Sequence, residues 1–431
     1  MVYDLNYIKE NKDALESSIK RRFLTKIIDD PVGRLIDLNQ NIKTLQKDID
    51  SLRHERNVIT EKFSKGAKQG SEESKDEDRK RVRTLMDDIK SKESEIDRMN
   101  EEAKGLFLWL PNVIAEGVTD GRDDTENIPS KKVGEVKTGF KAKSYMEICE
   151  QKNLIDLENA ARVTGSRFFY LKGKLVQLAL ALESYSIAKL ASKGYTPIIP
   201  PFMLKKDVYS GIAHMATFED ALYKVTGIED TGEEDRFLIS TTEHPMIAMY
   251  SDSVIPEDKL PLKFVGISPA FRKEAGAHGK DEKGIFRVHQ FSQTEQIVFC
   301  KPEETDKFHK EILENAEEMW KELGISYQVV DICTGDMGVR DVKQYDIEAY
   351  LYSQGKYREV GSFDNTTDWI ARRLNIKYTD GSGIKQYVST LDGTGLPIQR
   401  ALIAILETHQ REDGSVEIPE VLRKYTGFSE L

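Results

Sequence analysis

The sequence predicts an α+β protein in which an antiparallel sheet follows an N-terminal antiparallel helical hairpin. In the first quarter of the chain, apolar residues recur at the 4-3 spacing of a narrow helical stripe. From residue 112 onward, short β-type runs alternate with helical stretches and follow one another mainly as hairpins. The 431 residues suffice for about two to three domains, and we expect a boundary at Pro111 between residues 1–110 and 111–431.

The composition excludes several classes of protein. Apolar residues make up 39 % of the chain and charged residues 32 %, which excludes collagen-like, low-complexity and wholly disordered chains. No apolar run approaches the roughly 18 residues of a spanning helix, so we expect no membrane association. The net charge of −11 means that any contact with nucleic acid must be a local basic patch.

The cysteines and the first residues predict a cytoplasmic location. Cys149, Cys300 and Cys333 lie far apart without a CxxC pair, which excludes a disulfide framework and fits a reducing compartment. The first residues mix acids and bases around no apolar stretch, so we expect neither a signal peptide nor a transit peptide.

The helical hairpin is predicted from two matched stripes. One runs through residues 38–63 and the other through residues 82–106, with a polar break over residues 64–78. At 1.5 Å per residue each helix is about 40 Å long or more, and its charged remaining faces indicate a coiled coil standing in solvent. Arg56 and Lys92 interrupt the stripe, where they can act as register devices.

The elements of the second part follow from periodicity and from the positions of glycine and proline. A polar linker over residues 116–137 precedes them. Helices are expected over residues 173–192 and 301–324, with a last helix after Gly395. Strands are expected over residues 195–200, 263–274, 285–299, 345–352 and 357–363.

The hairpin of strands 263–274 and 285–299 carries the most informative face. Period-2 geometry places Arg272 and Glu274 together on the first strand. On the second strand it groups Arg287, His289, Phe291, Gln293 and Glu295, and it turns Phe286, Val288 and Val298 to the opposite face. This face suits ATP, because arginines can bind its phosphates, an aromatic ring can stack on its base and a carboxylate can accept a hydrogen bond from its amine. From spacing alone, a solvated polar face on an edge hairpin is an equally good interpretation.

The residues of this hairpin resemble motif 2 of the class II aminoacyl-tRNA synthetases, in the form found in the seryl-tRNA synthetase family. The match rests on Phe271-Arg272-Lys273-Glu274 and Arg287-Val288-His289-Gln290-Phe291. Three further segments resemble parts of the same family. Thr241-Thr242-Glu243 resembles its Thr-x-Glu, and Tyr357-Arg358-Glu359-Val360-Gly361-Ser362 resembles its late strand for ATP and magnesium. Gly393-Thr394-Gly395-Leu396 with Arg400 resembles its motif 3. The resemblance implies a class II synthetase-type antiparallel sheet catalytic domain over residues 111–431.

The N-terminal part resembles the tRNA-binding arm of the same family. Asp4-Leu5, Ile8 and Asn11 are similar to its opening, and Leu110-Pro111-Asn112 is similar to the segment that joins the arm to the catalytic domain. The resemblance thus covers nearly the whole chain and implies a tRNA-binding domain over residues 1–110.

The resemblance implies an ATP site on motif 2, the late strand and motif 3. It assigns the α-phosphate to Arg272, the adenine end to Glu274 and the base to Phe291, with a backbone contact at Val288. Arg400 pairs with the γ-phosphate end, and Arg272 and Arg400 are the implied catalytic residues. The other implied ATP-binding residues are Lys273, Glu359, Val360, Gly361 and Ser362.

The resemblance also implies magnesium at Glu359 and Ser362. Their offset of three cannot place both side chains on one face of a regular strand, and a β-bulge at Gly361 would solve that. The histidines show no zinc spacing, and we expect His278 on the motif 2 loop and His289 in support of the sheet. The expected cofactors are therefore ATP and Mg²⁺, without zinc.

Serine recognition is implied at six residues: Thr241, Thr242, Glu243, Arg272, Glu295 and Thr394. An ammonium group needs a carboxylate, and a small hydroxyl needs fixed polar partners. A site built around a hydroxyl rejects alanine because its polar groups would be left unpaired.

The implied activity is serine–tRNA ligation. The serine carboxylate attacks the α-phosphorus of ATP, pyrophosphate leaves, and the seryl group passes to the 3′ end of tRNA(Ser). Charging of tRNA(Sec) as well stays open. The helix and extended segment around residues 186–201 resemble motif 1 and imply a homodimer.

The end of the hairpin carries basic residues that suit the tRNA backbone. They are Lys62, Lys65 and Lys68, followed by Arg79, Lys80, Arg81 and Arg83. Acids at Glu72, Glu73, Asp76 and Asp78 make a solvated helical face an equally good interpretation from charge alone.

Several positions depart from the family pattern and leave the serine specificity open. Asp392 stands where asparagine is usual, so an extra carboxylate lies beside the amino-acid pocket. Gly361, Phe363 and Asp364 replace part of a Ser-Ser-Cys-Ser stretch, and Pro397 and Gln399 replace small residues.

Two other functions are weighed against the ligase. A synthetase-like ligase that loads a small amino acid onto a carrier protein has no use for the helical arm. A non-catalytic RNA-binding paralogue would have lost Arg272, Glu274 or Arg400, and all three are present.

Overall fold

The computed structural model describes residues 5–65, 72–136, 139–213, 219–226, 236–274 and 283–431. The chain forms two compact units. One comprises Met1–Lys20 and Leu24–Leu110, and the other comprises Arg21–Phe23 and Pro111–Leu431.

The first unit is helical. Its helices are α1 (Leu5–Glu10), α2 (Lys12–Arg21), α3 (Pro31–Lys65) and α4 (Glu72–Trp109). The last two form the predicted antiparallel hairpin, around a buried stripe of Leu35, Ile49, Leu85, Ile89 and Ala103. Both helices extend beyond the predicted stripes: α3 begins at Pro31, with Val32 and Leu35 buried in its first turns, and α4 begins at Glu72 in a polar run.

Ion pairs between the two long helices accompany this stripe. They join Arg34 to Glu102, Asp48 to Lys92, Arg53 to Glu93 and Glu55 to Arg81 at 2.6–3.1 Å. Lys92 thus bridges to the opposite helix, whereas the guanidinium of Arg56 donates to the side chain of its neighbour Asn57. Only one of the two interrupting residues links the helices in this way.

The second unit is built on strands. They are β1 (Ile128–Val133), β2 (Ile155–Asp156), β3 (Tyr170–Leu171), β4 (Thr196–Ile198), β5 (Met203–Lys205), β6 (Lys224–Val225), β7 (Arg236–Leu238), β8 (Val254–Pro256), β9 (Leu262–Phe271), β10 (Gln290–Cys300), β11 (Tyr327–Asp331), β12 (Lys343–Leu351), β13 (Lys356–Thr367), β14 (Lys377–Thr379), β15 (Lys385–Tyr387) and β16 (Ser389–Pro397).

Eight strands within the described ranges form the main sheet, in the order β1-β11-β12-β13-β16-β10-β9-β4. Neighbouring strands are antiparallel, as predicted, except that β4 lies parallel to β9 at one edge. The predicted polar linker over residues 116–137 contains β1, which closes the other edge. Its residues are almost all exposed, so no apolar alternation marked it as a strand.

Helices cover this sheet. They are α5 (Tyr145–Gln151), α6 (Glu158–Val163), α7 (Lys174–Ser192), α8 (Lys206–Ile212), α9 (Glu243–Ala248), α10 (Thr305–Glu322), α11 (Trp369–Leu374), α12 (Ile398–Thr408) and α13 (Glu420–Thr426). The predicted helices correspond to α7, α10 and α12, and α13 follows the helix that was expected to be last. Within the described ranges, no helix is both long and apolar enough to cross a membrane.

The hairpin of β9 and β10 is shorter than predicted. β9 ends at Phe271 and β10 begins at Gln290. One backbone bond, from the amide of Arg272 to the carbonyl of His289 (2.9 Å), continues the pairing. The alternation rule therefore does not extend to Glu274 or Arg287.

A buried polar network joins α10 to the middle of the sheet. The amide of Gln296 on β10 donates to the carbonyl of Ile312 (2.9 Å). The amide of Asn315 donates to Gln296 (2.9 Å) and to the hydroxyl of Tyr195 (3.2 Å). These bonds satisfy polar groups that burial would otherwise leave unpaired.

We predict that Asn315→Ala lowers the free energy of unfolding by about 1–3 kcal/mol, because it leaves the buried amide oxygen of Gln296 without that donor. Urea unfolding followed by tryptophan fluorescence measures the change, since Trp320 is buried on the same helix. Lys310→Ala, which removes an exposed ion pair to Glu314 on this helix, is the control, with an expected change below about 0.5 kcal/mol. Equal effects of the two variants would contradict the role of the network.

Candidate active site

Two pockets lie side by side over the middle of the sheet, where β13, β16 and β10 are neighbours. The outer pocket is lined by residues 285–288, 359–362 and Arg400, among others. The inner pocket has a volume of about 460 Å³, within the ~300–1,000 Å³ of small-molecule sites. Four side chains line both pockets: Arg272, Gln293, Ser362 and Thr394. The two pockets therefore adjoin each other.

Arg272 stands between the two pockets. Its Nε donates to the carbonyl of Ser240 (3.0 Å), and its guanidinium lies 5.1 Å from the ring centre of Phe291. Burial lowers the pKa of Arg272, but an arginine stays charged near neutral pH. The backbone bond and the ring thus hold a positive charge at the junction of the pockets.

A β-bulge on β13 brings Glu359 and Ser362 to the same pocket. Across from β12, Glu348 pairs with Glu359 and Ile347 pairs with Gly361, so Val360 is the extra residue. The extra residue shifts the alternation of side chains along β13 by one position. Glu359 and Ser362, which are three positions apart, can therefore face the same side of the sheet. The bulge predicted at Gly361 is thus present, centred one residue earlier.

Gly361 follows the bulge where β13 and β16 approach closely. A Cβ atom there would lie 2.8 Å from the Cβ of Thr394, so a larger residue requires movement of the pocket lining.

Arg400 lies in the first turn of α12 and contacts the bulged strand. Its Nη1 donates to the carbonyl (2.9 Å) and to the carboxylate (3.1 Å) of Glu359. The positive charge of Arg400 lowers the pKa of Glu359 and favours its ionised form. The guanidinium of Arg400 also lies 4.8 Å from the ring centre of Phe286.

The segments that flank the hairpin strands line the outer pocket. Glu274 forms an ion pair with Arg287 at 2.7 Å. Phe286 and Val288, predicted on the opposite face, line this pocket because β10 begins only at Gln290. Lys273 is exposed, with its amine 5.8 Å from the ring centre of Tyr223, and the structure does not place it in either pocket.

Glu295 lies buried in the inner pocket beside a glutamine that the sequence analysis did not assign to the site. The amide of Gln293 donates to the Glu295 carboxylate (2.8 Å) and to the hydroxyl of Thr241 (2.9 Å). Burial and the nearby charge of Asp392 raise the pKa of Glu295 well above its usual value. The alternation of Phe291, Gln293 and Glu295 along β10 had placed this glutamine on the same face, although no role was assigned to it.

The Thr-Thr-Glu segment divides between the pocket and the core. Thr241 and Glu243 line the inner pocket. Thr242 is fully buried with its hydroxyl 2.8 Å from that of Ser268, so the structure does not support its predicted contact with serine.

The histidines near the site play supporting roles. His244 lies 3.1 Å from the hydroxyl of Tyr209, and burial lowers its pKa to about 3, so it is neutral at pH 7. The Nδ1 of His289 lies 2.9 Å from the carbonyl of Arg272, which fits its predicted support of the sheet. His278 lies outside the described residues.

Arg340 is a pocket residue that the sequence analysis missed. It lies between β11 and β12 and lines the inner pocket. Its Nη2 contacts Asp364 and Asp392 at 2.9 Å each, and its Nη1 contacts Glu243. No motif or periodicity marked it, because all these partners are distant in sequence.

The other positions that depart from the family pattern are spread over the site and the core. Phe363 is fully buried in the hydrophobic core. Gln399 accepts a bond from the backbone amide of Ser292 (2.9 Å), and Pro397 lines the outer pocket.

The predicted tRNA-binding residues lie on the helical hairpin. Lys62, Arg79, Lys80, Arg81 and Arg83 are exposed. The guanidinium of Arg79 lies 3.5 Å from Asp76, and that of Arg81 lies 2.8 Å from Glu55. The Lys65 side chain and all of Lys68 lie outside the described residues.

Glu359 and Ser362 are the residues that could take part in holding a magnesium ion. They offer oxygen ligands on one side of the outer pocket. In the part of the chain that the structure describes, no three His, Cys, Asp or Glu residues could hold a metal together. A carboxylate and a hydroxyl are oxygen ligands of the kind that Mg²⁺ takes in proteins, where phosphate and water supply its remaining ligands.

Two family models match the chain. A family model described as the tRNA synthetase class II core domain (G, H, P, S and T) matches residues 223–409. A second, described as the seryl-tRNA synthetase N-terminal domain, matches residues 2–114.

Full-length relatives and solved structures are similar as well. A serine–tRNA ligase of Pyrococcus horikoshii is 41 % identical, covering 99 % of this chain and 97 % of the relative. One of Methanocella arvoryzae is 40 % identical, covering 98 % of each. The crystal structure of the P. horikoshii seryl-tRNA synthetase complexed with ATP has a TM-score of 0.88 at 40 % identity, covering 100 % of this chain and 99 % of that one.

A structure of the cytoplasmic serine–tRNA ligase of Naegleria fowleri with AMP has a TM-score of 0.83 at 32 % identity, covering 100 % of this chain and 98 % of that one. A Giardia lamblia prolyl-tRNA synthetase, 17 % identical with a TM-score of 0.58, shares the fold over 66 % of this chain and 57 % of its own. The chain belongs to the seryl-tRNA synthetase family of the class II aminoacyl-tRNA synthetases.

Proposed function

We propose that this serine–tRNA ligase binds ATP in the outer pocket and serine in the inner pocket, with Arg272 at the junction. The observation that carries the proposal is that the half-buried side chain of Arg272 lines both pockets. The reacting carboxylate and the α-phosphate must meet at such a junction. Neither the carrier-protein ligase nor the non-catalytic paralogue finds support in the comparisons.

The outer pocket has the groups that ATP requires. Phe286 and Phe291 offer rings for the base, and Arg400 and Arg287 offer charge for the phosphates. The ATP in the P. horikoshii relative supports this assignment. Glu359 and Ser362 would hold Mg²⁺, which when bound offsets negative charge on the phosphate oxygens.

The inner pocket suits a small amino acid with an ammonium group. The Glu295 carboxylate is its partner, because a bound cation would favour the charged form that burial now disfavours. The hydroxyls of Thr241 and Thr394 offer partners for the serine hydroxyl. Alanine would leave these polar groups unpaired and would therefore be rejected.

Activation requires position and charge rather than proton transfer. An oxygen of the serine carboxylate, already ionised, attacks the α-phosphorus in line, and the bond to pyrophosphate breaks. Arg272 offsets the charge on the α-phosphate, so no general base is needed. A hydroxyl of the tRNA 3′ terminus, the 3′-hydroxyl in our proposal, then attacks the seryl carbonyl, and AMP leaves.

The arm, the dimer and the compartment complete the proposal. The exposed basic residues Lys62, Arg79, Lys80, Arg81 and Arg83 of the helical hairpin bind tRNA(Ser), and charging of tRNA(Sec) stays a prediction. Leu180 on α7 is 56 % exposed and Ile199 beyond β4 is 75 % exposed, which supports a homodimer through this region.

The three cysteines are buried and form no disulfide, which supports a reducing cytoplasm.

We predict that Arg272→Ala lowers kcat/KM of serine-dependent ATP–pyrophosphate exchange by about 10²–10³-fold, because a charge that stabilises the transition state is lost. Arg162→Ala is the control, since Arg162 is exposed on α6 and bonds to Asn159. Exchange assays with each of the twenty amino acids accompany the measurement. Near-normal exchange in Arg272→Ala would remove this residue from the mechanism, and exchange with another amino acid would contradict the serine site.

Replacement of Arg79, Lys80, Arg81 and Arg83 by alanine should weaken tRNA(Ser) binding on the order of 10- to 100-fold, because phosphate contacts dominate such affinities. Fluorescence anisotropy at several salt concentrations measures this loss and the expected decrease in the salt slope. Pyrophosphate exchange without tRNA should stay unchanged.

A matched control for the tRNA-binding experiment removes four exposed lysines elsewhere on the same helices: Lys43, Lys47, Lys90 and Lys104. If both sets weaken binding equally, the effect is one of net charge and not of the proposed surface.

Light scattering at micromolar concentration should give twice the chain mass of 49.1 kDa. Charged residues at the exposed apolar positions, Leu180→Glu with Ile199→Glu, should give the monomer mass, because a buried unpaired charge disfavours association. A wild-type monomer would contradict the dimer.

A further inference from the structure

The departures from the family pattern at Asp364 and Asp392 form one cluster in space. Asp364 lies on β13 and Asp392 lies on the neighbouring β16, where the two residues pair directly across the ladder. Both carboxylates contact the same nitrogen of Arg340 at 2.9 Å. Two positions that look independent in the sequence therefore share one cation.

The guanidinium of Arg340 is enclosed by carboxylates. Its Nη1 contacts Glu243, and its Nε lies 3.4 Å from Asp341. The Arg340 side chain is 16 % exposed, and Asp364, Asp392 and Glu243 are at most 7 % exposed. In such surroundings a carboxylate without its cation is strongly destabilised.

Asp364 and Asp392 each have one carboxylate oxygen for which Arg340 provides no hydrogen bond. Within the described part of the chain, Oδ1 of Asp364 and Oδ2 of Asp392 are buried without a hydrogen-bond partner. Burial also raises the pKa of both side chains. Arg340 donates to the other oxygen of each carboxylate, Oδ2 of Asp364 and Oδ1 of Asp392.

The cluster adjoins the proposed serine site directly. Glu243, Arg340, Asp364, Asp392 and Glu295 all line the inner pocket. Gln293 donates to Glu295, whereas Arg340 engages Asp392 and Glu243. Of these carboxylates, Glu295 has no contact with Arg340 in the structure and lies toward Arg272 and Gln293.

We propose that Arg340 is a positioning residue for serine: it neutralises Asp364 and Asp392 and holds Glu243, and so leaves Glu295 as the ammonium partner. The inference rests on the proposed assignment of serine to the inner pocket. It explains how the extra carboxylate at position 392 is compatible with a serine site. Arg340 and its carboxylates act as one set, so loss of the cation requires loss of carboxylate charge as well.

The test compares single and combined variants in serine-dependent pyrophosphate exchange. Arg340→Ala should lower kcat/KM for serine about 100-fold, because removing one partner leaves buried carboxylates uncompensated. The KM for serine should rise much more than the KM for ATP. Adding Asp364→Asn and Asp392→Asn to Arg340→Ala should raise kcat/KM for serine at least tenfold above that of Arg340→Ala, because the isosteric amides remove the uncompensated charge.

The combined variant keeps the test decisive if Arg340→Ala fails to fold. A folded triple variant that regains exchange supports the proposal, since it leaves fewer buried carboxylates without a cation than Arg340→Ala does. A folded triple variant as inactive as Arg340→Ala, or an Arg340→Ala enzyme with a normal KM for serine, overturns it.

Asp392→Asn alone separates this proposal from direct binding of serine by Asp392. We expect a much smaller loss than in Arg340→Ala, because Arg340 keeps Glu243, Asp341 and Asp364 as carboxylate partners. A larger rise in the KM for serine than in Arg340→Ala would make Asp392 the ammonium ligand and overturn the inference.

The control is Arg372→Ala, which removes an arginine of matched burial from its pair with Asp368 on α11 (2.7 Å). This residue lines neither pocket, so its loss should change stability and not the KM for serine. Absence of serine-dependent exchange in the wild-type enzyme would refute the proposed function itself, whereas normal wild-type exchange with an unaffected Arg340→Ala refutes only this inference.

Discussion

The pairing of β16 with β13 on one side and β10 on the other is the constraint on which the site depends. Every residue of β16 is buried, and its two neighbours place alternate side chains over the same face. Gln293 and Glu295 come from β10, while Glu359 and Ser362 come from β13 through the bulge. A slip of one residue in either register would turn these side chains away together.

Compensation of buried charge is the second organising constraint. The pockets bring several carboxylates into a small volume, and the arginines that face them come from segments far apart in the chain. Arg272 follows β9, Arg340 precedes β12 and Arg400 begins α12. Because an unpaired buried charge is very costly, each acidic side chain is best understood together with the cation it meets. Asp392, unusual beside an amino-acid pocket, has such a partner in Arg340.

Elements with a strong periodic signal were predicted well, and those without one were missed. The two long helices and α7 bury apolar stripes that recur every three to four residues, so local spacing alone identifies them. The edge strand β1 has almost no buried side chain, and its strand conformation comes from backbone bonds to β11. The start of β10 was placed too early, because apolar residues at Ile285 and Phe286 imitate a strand where the backbone is irregular.

The sequence by itself determined the family, the motifs and most of the residues that line the two pockets, because those residues lie in short segments of recognisable spacing. The tertiary structure decided which of them meet. It turned Thr242 into the core and Lys273 toward solvent, and it brought Arg340 to Asp364 and Asp392 across 24 and 52 positions of the chain. No local pattern encodes such contacts, since an ion pair between distant segments depends on the register of the sheet that carries them.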